Sequence, residues 1–108
     1  MNTVKLIGNV GKEVSIKTFD SNSKLASFSL ATSEKFTTKN NEEKTNTTWH
    51  NIVAWGKTAE ICEKLINKGK LVSLEGKIQY RQYQNKEDKT IYLTEIVAYR
   101  IEEVAGKA

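Results

Sequence analysis

Apolar side chains alternate with polar ones along most of this chain, and that alternation constrains the fold more than any other feature. Successive side chains of a β-strand point to opposite faces, so the pattern predicts strands that each bury one face. In the first such run, Val4, Leu6 and Val10 share a face. The other alternating runs begin near Ala26, Trp49, Val72 and Ile91. We therefore predict an all-β chain built on five strands.

One segment, residues 57–68, breaks the alternation. Its apolar residues recur four apart, as in the pairs Ile61/Leu65 and Cys62/Ile66, which predicts one short helix with a single buried stripe. Five strands with one helix between the third and fourth are the order of a Greek-key barrel of the oligonucleotide/oligosaccharide-binding (OB) kind. An open antiparallel sheet covered by one helix is the alternative. Three polar runs are predicted to be hairpin loops, namely residues 20–24, 37–48 and 84–90.

Length and composition exclude several classes of protein. A chain of 108 residues has room for one domain. The single cysteine, Cys62, cannot form an intrachain disulfide, and with one histidine the chain cannot build a four-ligand zinc site, so we expect neither metal nor cofactor. The sequence has no apolar run long enough for a membrane helix and no signal-peptide core, so we expect a cytoplasmic protein. The net charge of +4 permits nucleic acid as a partner without establishing it.

The sequence offers no recognisable catalytic arrangement. His50 is the only histidine, and it lies in a predicted strand on the face opposite to Trp49, where packing or an interface hydrogen bond is the better interpretation. Cys62 lies on the apolar stripe of the helix and is expected to be a small buried side chain rather than a nucleophile. Gly8 and Gly11 indicate a bulge or bend between strands rather than a phosphate-binding loop. We therefore predict that the protein is not an enzyme.

Aromatic rings stand among polar and cationic residues rather than among aliphatic ones. Trp49 and Trp55 are six residues apart in one predicted strand and hence share a face. Phe36 and Tyr83 each border a polar run, where a role in the core is hard to supply. Exposed rings stack on unpaired bases and lysine or arginine neutralises phosphates, so the pattern is typical of single-strand binding. Burial of the tryptophans in the core is the alternative.

The chain resembles the bacterial single-stranded DNA-binding protein family from about residue 2 to residue 101. The resemblance rests on motifs in the family's order, which are Val4–Gly11, Leu30–Glu34, Thr48–His50, Ala54–Lys57, Lys68–Gly69, Glu75–Gly76 and Tyr92–Glu95. It implies an OB-fold domain over residues 1–104. The implied function is to bind single-stranded DNA with little sequence preference and to protect it during replication, recombination and repair.

The resemblance also implies roles for particular residues. The base-stacking aromatics would be Phe36, Trp49, Trp55 and Tyr83. The phosphate contacts would be Lys17, Lys39, Lys57, Lys68 and Arg81, to which strand parity with Arg81 adds Lys77. His50 would lie near a subunit interface. Asn51, Asn67 and Gln79 stand where the family often has arginine, so the basic surface is expected to be weaker.

The resemblance implies partners as well. They are single-stranded DNA, in association with the nucleoid, and further copies of the chain, most often as a homotetramer. Residues 105–108 are expected to be a short C-terminal segment without the family's acidic tip, so recruitment of replication and repair enzymes through such a tip is not carried over. Two other functions stay open from the residues alone. One is a barrel that binds RNA or a protein partner, and the other is an enzyme subunit that uses the barrel as a tether.

Overall fold

The computed structural model describes residues 1–11, 14–20 and 23–104. Within these ranges the chain forms six strands and one helix. In chain order they are β1 (Val4–Val10), β2 (Ser15–Asp20), β3 (Ser23–Thr37), β4 (Glu43–Trp55), α1 (Gly56–Leu65), β5 (Leu71–Gln84) and β6 (Thr90–Glu103). Residues 105–108, which the sequence predicts to be a short C-terminal segment, lie outside the described residues.

Five of the strands close into a barrel. Neighbouring strands follow the order β1-β5-β6-β4-β3, and β3 returns to β1 through the pairs Asn9↔Ala31 and Val10↔Leu30. Gly8 permits this approach, because a Cβ at that position would overlap the carbonyl oxygen of Ala31. The predicted five-stranded OB-fold barrel is therefore confirmed, and the alternative of an open sheet is wrong.

The predicted position of the helix needs a correction. α1 follows the fourth strand rather than the third, because residues 15–20 form a strand that the alternation of apolar residues does not predict. In that segment only Ile16 and Phe19 are apolar, and their spacing does not alternate. β2 pairs with β3 alone, along the same edge that β1 joins farther on, so it extends the sheet without entering the closed ring.

The alternating residues line the core as predicted. The largest fully buried side chains are Leu30, Ile52, Val10, Val72 and Cys62. α1 packs Ala59 and Cys62 into this cluster, whereas Ile61 of the predicted stripe is exposed. The helix is shorter than the predicted 57–68 and ends at Leu65. Of the described part of the chain, no helix is both long and apolar enough to cross a membrane.

The polar run 37–48 is not a loop over most of its length, which is a second correction. β3 and β4 stay paired from Leu25↔Trp55 to Thr37↔Glu43, so the two strands continue as a two-stranded ribbon beyond the barrel. The connection is only residues 38–42, where the Thr38 hydroxyl oxygen accepts hydrogen bonds from the backbone. The predicted loop at 84–90 is confirmed as residues 85–89. Of the predicted turn 20–24, residues 21 and 22 lie outside the described residues.

Candidate nucleic-acid interface

The strand register defines one continuous outer face on the side of the sheet opposite the core. Paired residues of neighbouring strands project to the same side of a sheet, and so do residues two apart in one strand. One cross-strand row runs through all the strands that form this face, and it consists of Ser15, Ser27, Val53, Val97 and Lys77. We call this side of β2, β3, β4, β6 and β5 the outer face.

Both tryptophans stand on the outer face, flanking Val53 on β4. Trp49 is 61% exposed and Trp55 is 50% exposed, so neither is a core residue. The ring of Trp49 lies against Gly11, where a Cβ would overlap it. The ring of Trp55 stacks with Phe19 of β2, with the ring centroids 5.9 Å apart and the planes inclined by 26°. Packing on one side holds each ring in place while leaving surface for a further flat group.

The other two predicted rings are also exposed but do not share one location. Tyr83 lies opposite Ile91 at the end of β5, next to the connection 85–89. Its strand parity with Lys77 places it on the outer face. Phe36 lies opposite Lys44 in the ribbon, on the side of β3 that faces away from Trp49. Both side chains are 48% exposed. The structure therefore brings Trp49, Trp55 and Tyr83 to one face and places Phe36 on the other side of the ribbon.

The predicted lysines divide by element. Lys17 belongs to the outer face, because it pairs with Leu25, which in turn pairs with Trp55, and Lys77 belongs to it through the row defined above. Three others lie outside the cross-strand rows that define this face, in the tip of the ribbon, in the first turn of α1 and in the turn after α1, and they are Lys39, Lys57 and Lys68. All five are exposed, and none forms a salt bridge with a carboxylate of the described residues.

Arg81 differs from these lysines because its charge is already paired. Its Nε donates to Glu95 Oε1 at 2.8 Å and its Nη2 to Glu95 Oε2 at 3.0 Å, which makes a two-pronged ion pair. Gln79 Nε2 also donates to Glu95 Oε1, at 3.1 Å. The hydrogen bond from Arg81 is the main cause that lowers the pKa of Glu95; the burial of the carboxylate opposes it, and the bond from Gln79 adds to it.

His50 lies on the side of β4 opposite to Trp49, as the strand parity predicts. It is half-buried, and its Nε2 shares a hydrogen bond of 2.9 Å with the hydroxyl of Thr32. Its placement near a subunit interface stays a prediction. Within the described ranges, no group of three or more histidine, cysteine, aspartate or glutamate side chains is arranged to hold a metal ion.

Sequence reasoning missed two features of this face. Phe19 belongs to β2, which the alternation does not predict, although its ring is flanked by the polar residues Thr18 and Asp20 and so carries the same signal as Phe36. In the sequence, Glu95 stands out only as the last residue of the motif Tyr92–Glu95. Its burial at 5% exposure and its pairing with Arg81 depend on the β5–β6 register, which no local pattern reveals.

A closed OB barrel with exposed rings and cations on one face is typical of a class of nucleic-acid-binding domains. The model of the single-strand binding protein family matches residues 1–104. The chain therefore belongs to the single-strand binding protein family, which confirms the resemblance found in the sequence.

Two curated relatives agree with this assignment. The chain is 41% identical over 109 residues to the single-stranded DNA-binding protein of Bacteroides thetaiotaomicron, which covers 99% of this chain and 68% of that protein. It is 38% identical over 109 residues to the single-stranded DNA-binding protein of Neisseria meningitidis serogroup A, covering 99% and 62%. The chain thus spans about two thirds of the length of these relatives.

Solved structures share the fold. The Plasmodium falciparum SSB in complex with ssDNA superposes with a TM-score of 0.88 at 32% identity, over 97% of this chain and 96% of that one. A deletion mutant of the single-stranded DNA binding protein from Thermus aquaticus superposes with a TM-score of 0.85 at 25% identity, covering 99% of this chain and 52% of that one.

Proposed function

We propose that this chain binds single-stranded DNA with little preference for sequence, and that it protects and organises exposed strands during replication, recombination and repair. Stacking on the rings of the outer face supplies contacts that every base can make, because every base has a π-face. The lysines on and around that face neutralise phosphates and release counterions, which is also independent of sequence. Binding of this kind needs no chemical step, so the proposed function is that of a binding protein and not of an enzyme.

One observation carries the proposal. Trp49, Trp55 and Tyr83 stand half-exposed on the same face as Lys17 and Lys77, although large rings in a small domain normally contribute to its core. A face that holds rings in place by packing on one side and leaves their other surface open is suited to flat ligands. The proposed stacking residues are Phe36, Trp49, Trp55 and Tyr83, and the proposed ionic contacts are Lys17, Lys39, Lys57, Lys68 and Lys77.

The proposal is tested by titrating the protein with oligodeoxythymidine while recording tryptophan fluorescence. We expect the emission to be quenched, because a base stacked on an indole ring quenches it. Trp49→Ala and Trp55→Ala should each weaken binding by ~1–3 kcal/mol. An unchanged emission from the wild type, with no binding by an independent method, would overturn the proposal.

A matched control separates stacking from folding. Tyr80 is also an exposed ring on β5, but its parity places it on the side opposite to Arg81 and Tyr83. Tyr80→Ala should leave the affinity for DNA near that of the wild type. Thermal unfolding of each variant shows whether a loss of binding comes from a lost contact or from a lost fold. The same titration with oligouridine decides whether the site prefers DNA or RNA.

We also propose that the working unit is a homotetramer with His50 near a subunit interface. Several barrels that share one strand gain avidity without any new contact within a barrel. The site of action is then the exposed DNA of the nucleoid, in the cytoplasm. Recruitment of replication and repair enzymes through an acidic tail is not part of this proposal.

A further inference from the structure

A buried carboxylate lies within the face that is proposed to bind a polyanion. Glu95 is 5% exposed, and both of its oxygens accept hydrogen bonds, from Arg81 on β5 and from Gln79 on the same strand. A negative charge beside a phosphate chain is unfavourable unless another group neutralises it, and a buried one is retained only when it is paired. A general contribution to solubility therefore does not explain why a buried carboxylate occupies this position.

Glu95, the acidic member of the pair, lines a groove between strands of the outer face. Glu95 and Leu93 of β6 line this groove together with Asn51 and Val53 of β4, and its volume is about 370 Å³. Leu93 is also the residue that pairs directly with Arg81. The Arg81 side chain remains 53% exposed, so part of the guanidinium faces solvent while its Nε and Nη2 are bound to Glu95.

The pairing changes what Arg81 can contribute to binding. A free cation that meets a phosphate releases counterions and steepens the salt dependence of affinity by roughly 0.7 in the logarithmic slope for a single strand. Arg81 and Glu95 together carry no net charge, so the pair releases none. The guanidinium is nevertheless a flat group held in one orientation, and its Nη1 takes part in neither bond to Glu95. Such a group can stack on a base and donate hydrogen bonds.

We propose that Glu95 is a positioning residue that holds the flat guanidinium of Arg81 on the outer face as half of a neutral pair, so that Arg81 adds to single-stranded DNA affinity without adding to its salt dependence. The inference rests on the proposed function and replaces the phosphate contact that the resemblance implies for Arg81. It divides the basic residues of the site into free lysines, which set the salt slope, and one paired arginine, which does not.

The test measures the affinity for oligodeoxythymidine over a series of salt concentrations. In Glu95→Gln the arginine becomes a free cation, and we expect the slope to steepen by roughly 0.7. The double variant Arg81→Gln/Glu95→Gln removes both charges at once. Its affinity should be lower than that of the wild type by the same factor at every salt concentration. The slope of affinity against salt concentration should therefore equal that of the wild type.

Lys77→Gln is the matched control, because Lys77 lies on the same face of β5 four residues from Arg81 and is not in a salt bridge with any described carboxylate. Its slope should become shallower by roughly 0.7. If the double variant loses slope as Lys77→Gln does, Arg81 contacts phosphate and the inference is wrong. If Glu95→Gln changes only the thermal stability and leaves the slope unaltered, Glu95 is merely structural and the inference is also wrong.

The wild type distinguishes this inference from the proposed function. Binding by the wild type with a clear salt slope supports the proposed function whatever the variants show. Absence of any binding overturns the proposed function and this inference with it. Should Glu95→Gln fail to fold, the comparison of the double variant with Lys77→Gln decides the matter.

Discussion

The ring of Trp49 occupies space that a side chain at position 11 would fill. A Cβ on Gly11 would overlap carbon atoms of that ring and would crowd the hydroxyl of Ser29. These atoms belong to side chains rather than to backbone, so they can move aside without breaking a strand pair. The absence of a side chain at Gly11 therefore permits the position of the Trp49 ring, although Gly11 is not among the proposed contacts.

Gly11→Ala is expected to weaken DNA binding while leaving the fold intact. The new methyl group displaces the indole ring, so the loss should be smaller than the ~1–3 kcal/mol expected for removing a stacking ring altogether. Fluorescence titration measures the affinity, and thermal unfolding measures the stability. A large drop in the unfolding temperature with unchanged affinity of the folded fraction would show that Gly11 serves the barrel and not the ring.

At the scale of elements, the barrel could be predicted from the sequence but the ribbon could not. Residues such as Ala26, Leu30 and Ile52 alternate because one face of each strand meets the core. Beyond the barrel, β3 and β4 have no buried face, so residues 43–48 are polar on both sides and look like a loop. Backbone pairing holds them in strands, together with a hydrogen bond of 3.4 Å between the hydroxyls of Ser33 and Thr47. Such pairing does not require polar and apolar residues to alternate.

Part of the candidate site could likewise be predicted from the sequence, and part could not. The four proposed stacking rings could be chosen from the sequence, the two tryptophans by their shared strand parity and Phe36 and Tyr83 by the polar runs beside them. The separation of Phe36 from Trp49 depends on their strand parity across a long ribbon, which requires correct strand bounds. Arg81 and Glu95 lie on the two arms of the β5–β6 hairpin, and their pairing depends on the register between these strands, so local composition could not predict it.

The packing of α1 gives a prediction about its cysteine. Burial raises the pKa of the Cys62 thiol to about 11, and its side chain has no exposed surface. Only a thiolate reacts readily with a disulfide reagent, so labelling of the native protein should be at least about a hundred-fold slower than labelling in denaturant. The measurement is the rate of colour release from Ellman's reagent, with Cys62→Ala as the blank. Equal rates in both conditions would mean that α1 does not cover the thiol.

At the scale of the whole molecule, one edge of β1 is only partly paired with another strand. β1 pairs with β5 along most of its length but with β3 only at Asn9 and Val10, so within the described part of the chain residues 4–7 have no partner on that edge. Ile7 is also 60% exposed. An unpaired edge next to an exposed apolar side chain favours association with another chain.

We expect light scattering to give a mass about four times the 12.2 kDa of one chain at micromolar concentration. Glu in place of Ile7 should lower that mass, because it places a charge where apolar contact is expected, and His50→Ala tests the second predicted interface position. Thermal unfolding identifies variants that lose the fold instead. A mass of a single chain at every concentration tested would contradict the proposed tetramer.

In the part of the chain that the structure describes, the barrel is closed between β1 and β3 by two residue pairs only, and this affects how the barrel can open locally. The hydrogen bond from the Gly11 N–H to the Ser29 carbonyl, 2.9 Å long, lies beside the two residue pairs that join β1 to β3. The indole ring of Trp49 lies against Gly11, one of these two residues. A brief local unzipping of this junction would therefore also release the indole, so hydrogen exchange at the Gly11 amide would report on how often the grip on a nucleobase relaxes.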